Sequence, residues 1–333
     1  MTWFDTLTGF PETSGDDVRE NLILEGTQLI SRANNRTLKA GEFSTPLLSE
    51  LRKSINIPST NQRAVRVNEL VGDVQSLHQS SANEHAVFQV ASQFNCLEMV
   101  GPSVTPERGV GIYENDLTQG PACSICCGAG TIFRNYFAEV NNRIGQTAGN
   151  QVDCLAEIGS HFGNAGKKLW AMRNGYCLPS VEGLAKVENH LASCDETALD
   201  RIREKLKVGV QSKTEVTVGA SNHCLTQVFC SALPVAYSPI APSKWNHFPR
   251  LILDATYEAT FYIALKNFNE TGCNKLYLTL VGGGVFGNKV DWILSSIGRS
   301  LDLFANTELD VAIVSYRSSK RDVANFVSRR NGR

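Results

Sequence analysis

Near the end of the 333-residue chain three consecutive glycines, Gly282-Gly283-Gly284, stand between an apolar run and an amphipathic stretch. Consecutive glycines are costly in backbone entropy, and a single one would serve a turn. Three allow positive φ and let a main chain come close to a ligand. A helix beginning just afterwards would aim its free N–H groups and the positive end of its dipole at the loop, which suits a phosphate. The alternative is a tight turn packed against a neighbour. A second group of residues is acidic. The long segment from Pro102 to Gln119 is rich in Gly, Pro and acids. With Glu98 just before it, it supplies Glu107, Glu114, Asp116 and Gln119, and it runs through Tyr113 to Pro121 into a predicted helix. Loops of this length inside a compact domain are functional or disordered, and structured flanks favour function. Carboxylates so placed suit proton transfer. They equally suit helix capping or plain solvation.

Other reactive residue types read as structural. The ten cysteines are scattered through apolar segments, which predicts reduced thiols in a cytosolic protein. Cys123, Cys126 and Cys127 carry a C-x-x-C spacing, but no second pair with ligand spacing follows, so they read as small buried hydrophobes and no metal is expected. Cys96 has no histidine beside it in sequence, His223 and His247 fall near predicted element ends, and Arg134 reads as a helix-end residue, although its guanidinium would suit a phosphate.

The elements that must position these groups are clearest at the end. Lys275–Val281 reads as a buried strand, Val290–Phe304 as an amphipathic helix and Leu309–Tyr316 as the next strand. This is a βαβ unit, so the strands should be parallel, with the glycine loop beyond a carboxyl end, where open α/β sheets bind ligands. Further strands are predicted at 65–71, 86–91, 214–218 and 225–230, with helices at 120–137 and 248–268. Residues 1–62 read as a helical extension, with Leu22, Ile23, Leu24, Leu29 and Ile30 on one helical face. Residues 63–317 form the core, 138–210 a helical insertion, and 318–333 a helical tail. The fold class expected is α/β, a mixed sheet between helices. A net charge of -1 without a basic block disfavours nucleic acid as a partner. No apolar run approaches the roughly 20 residues that span a bilayer. The opening residues lack the pattern of a signal peptide, so a cytoplasmic protein with no membrane association is expected.

With the loop placed, the order of elements resembles the macrodomain fold, which binds ADP-ribose. The resemblance covers roughly residues 63–317. Leu70-Val71-Gly72-Asp73-Val74 resembles the family's strand ending in Gly-Asp-Ile, whose Asp reads the adenine amino group. Ala86–Asn95 resembles the strand ending in the Asn-Ala-Ala-Asn signature, with Ser92 in place of the first Asn and Asn95 as the second, which contacts the distal ribose. Ser231-Ala232-Leu233-Pro234 and the helix through Tyr257 resemble the central strand's end and the helix after it. The loop Gly282-Gly283-Gly284-Val285-Phe286-Gly287-Asn288 resembles the one that wraps the diphosphate, and Phe286 would be the aromatic beside the distal ribose. The insertion is more like the larger poly(ADP-ribose) glycohydrolase branch. That branch's Gly-Gly-Gly followed by Gln-Glu-Glu is absent as such, because the triple glycine here belongs to the second loop.

The resemblance implies ADP-ribose or ADP-ribosylated protein as the partner and cleavage of the ADP-ribosyl bond as the chemistry, without a cofactor. Such cleavage needs protonation of a leaving group, a positioned water and carboxylates near a cationic transition state. Glu114 or Asp116 is the expected acid/base, with Asn95 orienting the ribose; Asp73, Val74 and residues 282–288 are the expected ligand contacts. A non-catalytic ADP-ribose reader is the alternative. A third reading is an NAD(P)-dependent oxidoreductase, because Gly282, Gly284 and Gly287 also satisfy G-x-G-x-x-G. The strand after it ends in Tyr316-Arg317 rather than an acid, and only one strand follows the motif.

Overall fold

The computed structural model describes residues 1–59, 64–219 and 221–332, so Arg63, the expected start of the core, lies outside the described residues. The chain opens with α1 (Trp3–Thr8), α2 (Gly15–Asn21), β1 (Leu22–Glu25), β2 (Gln28–Ser31), β3 (Thr37–Lys39), β4 (Glu42–Ser44) and α3 (Leu48–Ser54). The expectation of a helix through Leu22–Ile30 is corrected: β1, β2 and β3 form a small antiparallel sheet. Glu25 pairs with Gln28, so Gly26-Thr27 is a two-residue hairpin turn, and Gly26 takes φ +58°. A glycine first in such a turn favours the hairpin, whereas inside a helix it would cost about 1 kcal/mol.

Next come β5 (Arg66–Val71), α4 (Val74–Gln79), β6 (Val87–Ala91), α5 (Gln119–Cys126) and α6 (Gly128–Tyr136). The single helix expected over 120–137 is two, broken at Cys127. Thr217 takes over the broken turn's backbone groups: its N–H donates to Cys126 O (2.8 Å) and its hydroxyl accepts from Gly128 N (2.9 Å). The insertion holds β7 (Glu139–Val140), β8 (Arg143–Ile144), α7 (Ala156–His161), β9 (Trp170–Arg173), β10 (Tyr176–Pro179), α8 (Val181–Ser193) and α9 (Glu196–Arg203). It is therefore mixed rather than helical. Asn174-Gly175, both at positive φ, turn the β9–β10 hairpin, an Asn-Gly signal that the helical reading passed over.

The chain closes with β11 (Gly209–Glu215), β12 (Cys224–Cys230), α10 (His247–Thr271), β13 (Lys275–Leu278), α11 (Val290–Leu303), β14 (Asp310–Ser315) and α12 (Arg321–Asn331). The central sheet has seven strands in the order β4-β11-β12-β6-β13-β14-β5. From β12 to β5 the neighbours are parallel, and β11 is antiparallel to both β12 and β4. The β13–α11–β14 unit is parallel as expected. Strands from earlier in the chain flank it on both sides, so the sheet does have room around the glycine motif. Its order is not that of a doubly wound dinucleotide sheet, which counts against the oxidoreductase reading. Because β4 pairs with β11, the sheet also reaches back before residue 63.

The main core packs α10, buried on nearly all sides, between the sheet and α11. A second core joins Phe4, Leu7, Val18, Leu22, Leu29 and Leu38 of the N-terminal region to Tyr113, Ile132 and Tyr136. The N-terminal 40 residues thus cover α6 and the acidic loop. Among the described residues no helix is long and apolar enough to cross a membrane.

Candidate functional site

Five parallel strands bring their carboxyl ends to one edge, and the loops there carry most of the expected site. At the end of β5, Asp73 caps α4: one carboxylate oxygen accepts from Gln75 N (2.8 Å) and Ser76 N (3.1 Å). The residue is exposed, and its other oxygen has no partner among the described residues. Gly72 N donates to Ser315 O (3.1 Å), tying this corner to the end of β14. There Tyr316 is 55% exposed with the Arg317 guanidinium 4.9 Å from its ring centroid. Val71 beside it is also exposed. The sequence reading gave Tyr316 no ligand role; an aromatic directly after a buried strand at this edge was the available signal.

The glycine loop is closed by its own backbone. Gly283 N donates to Leu280 O (2.9 Å), Gly287 N to Gly284 O (3.0 Å) and Asn288 N to Gly282 O (2.9 Å). The three glycines have different reasons to be there. Gly282 has φ +75°, and a Cβ on it would lie 2.5 Å from Ala232 Cβ. Gly283 is tight against Ile293, at 3.0 Å. Gly284 has neither constraint: a Cβ would meet nothing within 4 Å. Among the described residues the amides of Gly284, Val285 and Phe286 find no acceptor. Val285 is 61% exposed, and α11 begins at Val290 with no side-chain cap. The result is an open row of N–H groups ahead of a helix N-terminus.

Phe286, by contrast, is turned inward. It packs against Tyr176 (ring centroids 5.4 Å apart) and Tyr237 (5.5 Å), and its carbonyl accepts from Ala236 N (3.0 Å). Asn288 is buried and donates to Leu233 O (2.8 Å), leaving its Oδ1 without a partner. The segment after β12 therefore braces the loop. Tyr176 comes from the inserted β9–β10 hairpin, so the insertion supplies part of this wall. Burial pushes the Tyr176 hydroxyl well above its usual range, with Tyr237 and Asp116 adding to the shift.

The three expected catalytic residues separate. Asp116, half-buried, lies three residues before Gln119 at the end of the loop, and its Oδ1 accepts from Thr118 N (2.9 Å). Glu114 faces elsewhere, accepting from Trp3 N (2.9 Å) at the start of α1. Asn95 is fully buried, its amide donating to Gln151 Oε1 (2.9 Å) and its Oδ1 accepting from Leu97 N (3.1 Å). With both ends engaged inside the loop, its expected part in orienting a ribose is withdrawn. The first turn of α5 holds Gln119, whose side chain accepts from Ala91 N and donates to Gln89 O, followed by Gly120. A Cβ at Gly120 would sit 2.0 Å from Ala91 O, so no carboxylate fits there.

Glu98 is the carboxyl nearest that turn, and it is buried 3.7 Å from Arg134 Nη2, with both oxygens lacking a hydrogen-bond partner among the described residues. Burial pushes it up to about 7, opposed by Arg134. Arg134, in the last turn of α6 as expected, is buried, its guanidinium 3.6 Å from the Phe229 ring centroid. Cys123, Cys126 and Cys127 are buried as expected, and burial raises all three thiols. A surface hollow of about 520 Å³ lies away from this edge, between α11 and α12, where Arg330 pairs with Asp302 and Arg299 with Glu258.

No family profile and no curated protein matches the chain. Solved structures do. A poly(ADP-ribose) glycohydrolase from Thermomonospora curvata is 9% identical, with a TM-score of 0.48 over 95% of this chain and 97% of that one. A poly(ADP-ribose) glycohydrolase from Deinococcus radiodurans in complex with ADP-ribose is 11% identical, with a TM-score of 0.43 over 86% of this chain and 93% of that one. The chain's own sheet is mixed and lies between helices, the α/β class expected.

Proposed function

We propose that this chain binds ADP-ribose, free or attached to protein, across the carboxyl edge of its parallel strands. The observation that carries the reading is the Gly284–Phe286 row of unpartnered amides, with a glycine at 284 that neither backbone conformation nor packing requires. Main-chain donors of this kind suit a diphosphate. On one side the free carboxylate oxygen of Asp73 would accept from a base amino group, with the exposed ring of Tyr316 as a stacking surface. On the other side the half-buried ring of Tyr237, backed by the buried Tyr176 and Phe286, suits a ribose, and Val74, Gly287 and Asn288 support the loop and strand ends. Ten unpaired cysteines support a reducing, cytoplasmic setting.

A second reading adds hydrolysis of the ADP-ribosyl bond with Asp116 as the acid/base, supported by its place three residues before Gln119, whose side chain is bonded to the end of β6. Against it stands the absence of the branch's Gln-Glu-Glu after a triple glycine, which favours a reader. Calorimetric titration of the full chain with ADP-ribose tests the primary reading. Micromolar binding is expected in the wild type. Gly284→Val should weaken it at least tenfold while leaving thermal stability unchanged, because the side chain enters open space. Absence of binding at 1 mM ADP-ribose, roughly the affinity of a 4 kcal/mol interaction, would sink the reading.

A further inference from the structure

The acidic loop is shaped by the other end of the chain. Glu12 reaches the turn that leads to Asp116 and accepts from two consecutive amides, Val110 N (2.8 Å) and Gly111 N (2.6 Å), and from the Tyr136 hydroxyl (2.5 Å). The turn has made room for that carboxylate. A Cβ at Gly109, which has φ +85°, would lie 2.5 Å from Glu12 Oε2, and one at Gly111 would lie 2.8 Å from the same atom. Trp3 holds the turn at two further points: its indole N–H donates to Val110 O (3.1 Å) and its backbone N–H to Glu114 (2.9 Å). The short 3-10 segment Gly111–Asn115 is thus gripped at its start by Glu12 and at its end by Trp3, and Asp116 N closes it onto Tyr113 O (3.1 Å).

We propose that residues 2–12 are a clamp, centred on Glu12, that fixes the turn 109–116 and so positions Asp116, three residues ahead of Gln119 at the sheet's carboxyl edge. This rests on the proposed function for the purpose of Asp116, though not for the grip itself. Five hydrogen bonds bridging about a hundred residues of sequence, with two glycines vacated for one carboxylate, exceed what a solvated terminus needs. Glu12 and Trp3 are positioning residues; neither touches the cleft.

The clamp predicts coupling between residues that are not in contact. In the full chain, Glu12→Ala and Asp116→Ala are made singly and together. Turnover of ADP-ribosylated protein and ADP-ribose affinity are measured, together with hydrogen exchange at the Val110 and Gly111 amides. Glu12→Ala should raise exchange at both amides and lower kcat roughly tenfold with KM little changed, as expected for a misplaced reacting group. The double variant should be no worse than Asp116→Ala alone, and Glu12→Gln, which keeps one acceptor oxygen, should recover part of the loss. Unchanged exchange overturns the clamp. Independent losses that multiply in the double variant also overturn it, since uncoupled sites add in free energy. If the wild type binds ADP-ribose without turning it over, the same cycle is read in affinity. If it does not bind at all, the proposed function falls, while the exchange measurement still decides whether Glu12 fixes the turn.

Discussion

The glycine loop and the acidic loop meet at one edge of the sheet, but they are built by different means. The first is held by its own sequence. It is bounded by β13 and α11, closes through three internal backbone hydrogen bonds, and needs outside help only from the short segment Leu233–Ala236. The second closes short turns of its own, such as Arg108 N to Thr105 O and Tyr113 N to Val110 O, but the placing of those turns depends on distant residues. Its shape comes from Glu12 and Trp3 and from the N-terminal core that covers it. A locally encoded loop should tolerate changes elsewhere and fail when its own backbone is altered. A remotely held loop should show the reverse.

The largest expected effect tests the first half of that contrast. Gly282→Ala forces a side chain into positive φ and against Ala232 Cβ at 2.5 Å. The strain and overpacking together should cost roughly 4 kcal/mol, read as a shift of the urea midpoint. Since Gly284→Val is expected to leave stability alone, the two glycines divide cleanly into a structural one and a ligand-facing one. Equal destabilisation by both would erase that division and the case for an open amide row.

Next in size is the titration at the root of the acidic loop. Glu98 is fully buried and held near 7, above the ordinary 4.5, by desolvation. The folded state therefore binds more protons than the unfolded one between those values, and its stability must fall as pH rises through them. Arg134 stays charged throughout and softens the loss. Relative to Glu98→Gln, the wild type should lose up to about 3 kcal/mol between pH 4.5 and pH 8, in chemical denaturation at several pH values. A difference between the two proteins that stays flat with pH would mean that Glu98 is ionised throughout.

The same contrast explains what could be read from residues alone. The β13–α11–β14 unit was legible because period, glycines and strand length agree within one contiguous stretch. The partners of Asn95 and Glu114 were not legible, because composition cannot tell a carboxylate or amide aimed at a cleft from one engaged by a distant residue: Glu114 meets Trp3, and Asn95 meets Gln151. Nor could Tyr176 be found, since it enters the wall from a hairpin within an insertion read as helical. The N-terminal hairpin was missed for a smaller reason. Its alternation is short, and the apolar triplet Leu22-Ile23-Leu24 fits either period until Gly26-Thr27 is recognised as a turn.

The smallest expected effect separates the two acids of that loop. Glu114 is exposed and serves Trp3 N only as an acceptor, a role the amide oxygen of glutamine can fill. Glu114→Gln should therefore change stability by less than about 0.5 kcal/mol, as surface substitutions do, and leave both the clamp and turnover intact. Asp116→Asn keeps the Oδ1 contact with Thr118 N but removes the charge. It should reduce turnover, if Asp116 is the group that moves the proton. The charge of one residue then matters and that of the other does not, although the two are neighbours on one turn and indistinguishable by type. The opposite result, activity lost with Glu114→Gln and kept with Asp116→Asn, would move the reacting group to the α1 side of the loop. It would also mean that the turn rotates Glu114 away from Trp3 when substrate binds, which the Trp3 amide would report as faster exchange in the complex.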